Sequence, residues 1–323
     1  MTFSDLKGFD DVFDQTLNND IQDGLVEFFD WGLLQKGNYF NSDLGESSPN
    51  GQDYSRLKVT NEYSYASGQV WEGFRSNWVW QSGVNHSPAP ITGTDHLNPG
   101  VSGIYIDDNY YPVTTTGEYA YHVDHINGRV IFDSAISRTS KVQVEHSYRW
   151  INVTYAADVP WLREIQYRTN QPDENFLDLD ADQWRVPSDS KLQLPAIAIE
   201  VVPVRKFKGY QLGGGQWVFT DVLFHCLAED EVTRNKLVDI VSFQNDKVID
   251  LFDSNTANSS GAFPIDYRGV PVPSALRYPD LVNAYPGGRL KFSNTRTQSM
   301  TMINTNLYGG IVRITTEGIK SNI

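Results

Sequence analysis

The sequence predicts a β-rich α+β protein, and three stretches of its 323 residues carry that prediction. Residues 56–156 alternate apolar and polar side chains, a pattern typical of half-buried strands. Residues 192–243 contain two apolar, β-favouring runs that are separated by glycines and followed by a helical pattern. Residues 9–34 repeat apolar side chains about every four positions, as amphipathic helices do.

The N-terminal pattern predicts one helix over residues 9–34, with Lys36-Gly37 as its stop signal. We assign residues 1–40 to the same domain as the C-terminal α/β unit. A helix of about 26 residues is roughly 39 Å long, which exceeds what a small sheet needs as cover. It therefore either reaches a neighbouring subunit in part or covers its own sheet, and the sequence leaves both open. The apolar stripe consists of Phe9, Phe13, Leu17, Ile21, Leu25 and Phe29.

The alternating region predicts a sandwich-like β insertion over residues 56–169. A polar loop, 41–55, precedes it, and Asn127-Gly128 is the strongest hairpin signal in the chain. Residues 83–103 are rich in Pro, Gly and Ser and predict an extended surface arm. Residues 170–191 are acidic and bounded by prolines, so we interpret them as a linker to the next domain.

Residues 192–323 predict an α/β domain that opens with a hairpin. A first strand starts near Pro195, and a second covers 216–228. Between them, Gly209 and the glycine triplet at 213–215 supply the backbone freedom of an exposed loop.

A helix is predicted to follow this hairpin over residues 230–243, because the acidic residues 229–231 suit a helix N-terminus. A short apolar run covers 247–252, and residues 289–317 predict two or three closing strands. The helix residues that we expect to be buried are Val232, Leu237, Ile240 and Val241.

The composition excludes several classes of function. The formal net charge of −14 argues against a general nucleic-acid binder, which needs Lys and Arg to neutralise phosphates. The acid serves either solubility or an inner surface that repels DNA and lets it slide. The single cysteine, Cys226, lies in an apolar run and predicts a buried thiol. With no leader and no long apolar segment in the sequence, we expect folding in a cytoplasm-like compartment without a membrane.

No residue set predicts catalysis, a cofactor or a metal. His122 and Asp124 would share one face of a strand while His125 points to the other, so the three cannot converge on a metal. The run 178–182 lacks the glycine and closing glutamate of a calcium loop. The triplet at 213–215 lacks the Gly-Lys-Ser/Thr of a P-loop, and a strand follows it where a dinucleotide-binding loop is followed by a helix. We therefore expect a protein that is not an enzyme.

One basic cluster contrasts with the acidic background, at 205–208. Its predicted position at the start of the hairpin loop makes it a candidate contact with an acidic partner surface, although a solvated loop would carry the same residues. The candidate interface residues are Arg205, Lys206, Lys208, Tyr210, Gly213, Gly214 and Gly215.

The run from Pro195 to Phe243, together with the helix at 9–34, resembles the head–tail junction proteins of tailed bacteriophages, and the tail-terminator group most closely. The shared features are an early helix, a Pro-Ala-Ile strand, a hairpin, a strand that leads into an Ala-Glu helix start, and a helix ending Leu-Val-Asp-Ile. The stretch after Asn127-Gly128 is also similar to phage virion structural proteins.

This resemblance implies a tail-terminator-like α/β domain, with a sheet flanked by helices, that carries the β insertion. It implies a non-enzymatic subunit of a homo-oligomeric ring, a hexamer, which terminates the tail tube and joins it to the neck. The ring would sit in the virion and contact neck, connector, tail-tube or sheath proteins. DNA would pass through its lumen without specific binding. Terminators are often shorter and lack the insertion, which leaves room for another neck or baseplate role.

The alternative is a carbohydrate- or receptor-binding β module of a tail or baseplate. It is suggested by Trp71, Trp78 and Trp80 and by the tyrosines of 105–121, since aromatic side chains often form such binding surfaces. The same aromatic residues alternate as core residues do, so this hypothesis ranks second.

Overall fold

The structure is a computed structural model, and the β-rich α+β class is confirmed in the part of the chain that it describes. The described residues are 17–44, 53–61, 64–81, 84, 101, 103–156, 167–168, 192–211, 214–260, 276–304 and 306–320.

The helices and strands of the described part follow in chain order. The helices are α1 (Leu17–Leu34), α2 (Glu231–Ser242), α3 (Ser254–Ser259) and α4 (Tyr278–Ala284). The first ten strands are β1 (Tyr39–Ser42), β2 (Lys58–Thr60), β3 (Val70–Glu72), β4 (Gly103–Ile106), β5 (Asn109–Pro112), β6 (Tyr121–Asp124), β7 (Arg129–Phe132), β8 (Val142–Val144), β9 (His146–Arg149) and β10 (Asn152–Tyr155). The others are β11 (Tyr167–Arg168), β12 (Leu192–Gln193), β13 (Ala196–Gln211), β14 (Gly214–Ala228), β15 (Val248–Phe252), β16 (Pro286–Asn304) and β17 (Leu307–Lys320).

Two long hairpins form the centre of a six-stranded sheet whose order is β10-β13-β14-β17-β16-β15. Strand β10 is parallel to β13, and every other pair is antiparallel. The prediction of a loop from Gly209 onwards is wrong, because β13 continues to Gln211 and β14 starts at Gly214. Gly209 pairs with Gln216 in the ladder. The backbone freedom of Gly209 suggested a turn, but the residue is part of the strand.

One face of this sheet is covered by α1 and α2, which share a hydrophobic core with it. In β14 the side chains of Val222, Phe224 and Cys226 point to that core, while Asp221, Leu223 and His225 point to the other face. Phe29 of α1 packs on Phe224, with ring centroids 5.2 Å apart. Helix α1 ends at Leu34, the last residue of the predicted helix; residues 9–16 of that helix lie outside the described residues.

Helix α2 begins where the acidic run predicts. The Asp230 carboxylate caps it by accepting hydrogen bonds from the Thr233 backbone N–H at 2.8 Å and from its hydroxyl at 2.7 Å. Leu237 and Val241 are buried as expected, and Ile240 is half-buried. The prediction for Val232 is wrong: it is 77% exposed, because it lies on the helix face that points away from the sheet.

The β insertion packs two antiparallel sheets, β2-β3-β7-β6 and β5-β4-β8, around a second hydrophobic core. The predicted hairpin at Asn127-Gly128 joins β6 to β7, and Gly128 takes the positive φ of 65° that the turn requires. Strand β10, which the alternation assigned to the insertion, instead pairs with β13 in the large sheet. The linker 170–191 and most of the arm 83–103 lie outside the described residues.

Candidate assembly interface

The basic cluster is divided between the two faces of β13. Arg205 points to the helix-covered face, where its Nε donates to Thr220 Oγ1 at 3.1 Å and its Nη2 donates to Asn18 Oδ1. These bonds tie the hairpin to the start of α1, so Arg205 serves the fold. Lys206 and Lys208 point to the opposite, helix-free face and are exposed.

The other predicted interface residues lie at the hairpin tip. Tyr210 lies near the end of β13, next to the turn. Gly214 and Gly215 are the first two residues of β14, and Gly214 pairs with Gln211. Gly213 lies outside the described residues. The structure thus brings Lys206 and Lys208 together on one face.

Strands β13 and β16 each have, in the described part of the chain, a segment with no neighbouring strand on its outer side. On one side, β10 covers β13 only as far as Ile199, which leaves β13 uncovered from Glu200 to Gln211. On the other side, β15 and the turn before it cover β16 as far as Phe292, which leaves β16 uncovered to Asn304. Uncovered edges present unpaired backbone N–H and C=O groups and are templates for pairing with another chain.

The two uncovered edges are staggered along the sheet. Arg205 pairs with Thr220, Thr220 pairs with Thr316, and Thr316 pairs with Phe292. Arg205 and Phe292 therefore lie at the same height along the strands. Beyond that level the uncovered part of β13 runs towards its hairpin tip, while the uncovered part of β16 runs in the opposite direction. Pairing the two edges between copies would require tilted, staggered strands, which is the geometry of a sheet closed on itself.

Each uncovered edge also exposes apolar side chains. Phe207 on β13 is 58% exposed, and Met302 on β16 is 62% exposed, with Met300 beside it. All three lie on the helix side of the sheet, beyond the helices that cover its centre. The two methionines are not among the predicted interface residues; their sequence signal is a Met-Thr-Met alternation in a strand with few other apolar residues, and the structure places it opposite Gly309 and Gly310.

A separate cavity of about 250 Å³ lies where α1 meets the insertion. Arg149 of β9 and Asp30 of α1 form a buried ion pair in its wall, and Gln81 bonds to both. Burial, together with the nearby Asp30 carboxylate, raises the pKa of Glu27 to about 8. Glu27 is therefore mostly protonated at neutral pH. The helix face that the sequence presents as polar is thus partly covered by the insertion.

Asp124 and Cys226 have structural surroundings. Asp124 accepts hydrogen bonds from Asn127 and Arg129, which hold the turn between β6 and β7. Within the described ranges, no three His, Cys, Asp or Glu side chains are placed to hold a metal ion. Burial raises the pKa of the Cys226 thiol to about 12, so it stays protonated.

Neither the protein-family models nor the curated proteins contain a match to this chain. Among the described residues, no helix has the combination of length and hydrophobicity that crossing a membrane requires.

Proposed function

We propose that this chain is a non-enzymatic structural subunit that forms a homo-oligomeric ring at the head–tail junction of a tailed phage, as tail-terminator and neck proteins do. The observation that carries the proposal is the pair of uncovered, staggered edges on opposite sides of one sheet. The ring would form when β13 of one copy pairs with β16 of the next.

The directions of the strands fit such a ring. From β13 to β16 the four long strands alternate in direction, so the two edges run in opposite senses. A copy rotated about the ring axis therefore places its β16 antiparallel to its neighbour's β13. The contact joins two different surfaces, and such head-to-tail contacts generate rings when the rotation closes.

The carbohydrate-binding alternative loses its main support. Trp71 and Trp78 are fully buried, and Trp80 is 6% exposed. The Trp71 indole N–H donates to the Gly68 carbonyl, and the Trp78 indole N–H donates to the Arg75 carbonyl. These tryptophans fill the core of the insertion and its boundary, where they offer no open platform for a sugar.

Native mass spectrometry of purified chain variants tests the ring. We expect the wild type to form a closed oligomer, and Phe207→Asp and Met302→Asp each to dissociate it, because each buries a charge in the seam. Tyr110→Asp is the matched control: Tyr110 is 47% exposed on β5, which belongs to the insertion and not to the large sheet. A monomeric wild type, or equal dissociation by the control, would contradict the proposal.

A further inference from the structure

The helix-free face of the large sheet is basic, in a chain whose net charge is −14. Its strands carry side chains of both signs, and the basic ones outnumber the acidic ones. The basic residues are Lys206, Lys208, Arg289, Lys291, Arg296 and Arg313. The acidic residues are Glu200, Asp221, Asp250 and Glu317.

A cavity of about 430 Å³ opens on this face, which is large enough for a nucleotide. Three of its lining side chains are cationic: Lys206, Arg296 and Arg313. Asp221 is the one carboxylate among the described lining residues, and it is already engaged, because it accepts hydrogen bonds from Arg313 and from the Thr315 hydroxyl at 2.7 Å. Burial acts to raise the pKa of Asp221, but these hydrogen bonds outweigh it and hold the pKa below its ordinary value. The cavity therefore keeps an excess of positive charge.

The remaining lining groups are suited to an anionic polymer with flat, apolar parts. Asn294, Thr297 and Gln298 contribute amide and hydroxyl donors. Phe219 also lines the cavity, and its ring stacks with that of Trp217 at a centroid distance of 6.4 Å and an interplanar angle of 19°. Both aromatic residues face lysines across the ladder, Phe219 opposite Lys206 and Trp217 opposite Lys208.

We propose that this face binds the phosphate backbone of nucleic acid without reading its sequence. Cations interleaved with aromatic rings are the combination that binds phosphates and stacks bases. An acidic polypeptide would use the cations and leave the rings unused. The net charge of the whole chain does not reveal this surface, because the six basic residues come from strands that are distant in sequence. The inference goes beyond the ring and does not rest on it, since one chain holds the whole cavity.

Fluorescence anisotropy of a labelled single-stranded oligonucleotide with the full chain, over a series of salt concentrations, tests the inference. Each phosphate contact contributes about 0.7 to the slope of log K against log salt for a single strand. We expect Lys206→Gln/Arg296→Gln to reduce that slope by about 1.4 relative to the wild type. Both side chains are exposed, so the variant should keep its fold, which circular dichroism checks.

The matched control is Lys36→Gln/Lys247→Gln, which removes the same charge from exposed positions away from this face. Its slope should equal that of the wild type. The inference is overturned if the wild type does not bind at low salt, if the two double variants have the same slope, or if polyglutamate binds as tightly as the oligonucleotide. Native mass spectrometry of the same samples reports the ring separately, so failure of one proposal is distinguishable from failure of the other.

Discussion

Replacing Arg149 by alanine should be one of the most destabilising single substitutions in this protein. Its guanidinium donates to both carboxylate oxygens of Asp30, at 2.6 and 2.9 Å, and to Gln81 Oε1 at 2.7 Å. It also donates to the backbone carbonyls of Asn77 and Trp78, at 3.3 and 2.9 Å. These bonds join α1 to two segments of the insertion.

The expected cost follows from the burial of the pair, since Arg149 is 7% and Asp30 8% exposed. Removing one partner of a buried ion pair leaves the other charge uncompensated and costs about 3–5 kcal/mol. That is a large part of the about 5–15 kcal/mol by which most domains are stable. Urea unfolding, followed by tryptophan fluorescence, measures the change in the free energy of unfolding.

The matched control is Arg289→Ala, which breaks an ion pair of the same kind, with Arg289 Nε 2.9 Å from Asp250 Oδ1. Both of those side chains are exposed, 79% and 51%, so the loss should stay below about 1 kcal/mol. Asp30→Asn in the Arg149→Ala background should recover part of the stability, because it removes the uncompensated charge. Equal losses for Arg149→Ala and Arg289→Ala would refute the reasoning, as would an Asp30→Asn substitution that adds to the damage.

Two further predictions concern pH and backbone geometry. The pKa of Glu27 is about 8 in the folded chain, whereas the ordinary value of a glutamate is 4.5. The stability that the protonated Glu27 carboxyl contributes is therefore complete below pH 4.5 and is lost as pH rises through 8. Urea unfolding should therefore show Glu27→Gln gaining about 2–4 kcal/mol over the wild type across that window; a constant difference would contradict the assignment. Gly128→Ala should cost more than about 3 kcal/mol in thermal unfolding, because φ is +65° and the added Cβ would lie 2.3 Å from the Arg75 carbonyl oxygen. Gly117→Ala, with φ of +84° and open space around it, should cost only the strain of about 1–2 kcal/mol, and equal costs would refute the role of the close contact.

The sequence predicts the elements of this fold better than their extents. Alternation and glycine placement locate the hairpin at 196–228, and the acidic run locates the start of α2. The same glycines suggest a loop at a place where Gly209 continues the strand. The local sequence gives no information about the neighbouring strand, β14, whose hydrogen bonds keep Gly209 in the ladder. Strand length is decided by pairing with β14, which is a tertiary contact.

The site shows the same limit. Lys206 and Lys208 are visible as a basic cluster, but Arg205 in that cluster bonds to Asn18, far away in sequence. The cations that join them on the helix-free face, Arg296 and Arg313, come from the second hairpin. No local pattern predicts such a combination, since it arises from the strand order of the sheet.

Mixing the two edge variants tests the central claim, a head-to-tail contact between β13 and β16, most directly. Phe207→Asp keeps a functional β16 edge, and Met302→Asp keeps a functional β13 edge. Each should be monomeric alone, while an equimolar mixture should form a one-to-one dimer, twice the mass of the 36.5 kDa chain. Native mass spectrometry measures these masses. A mixture that stays monomeric, or a single variant that dimerises by itself, would contradict the account.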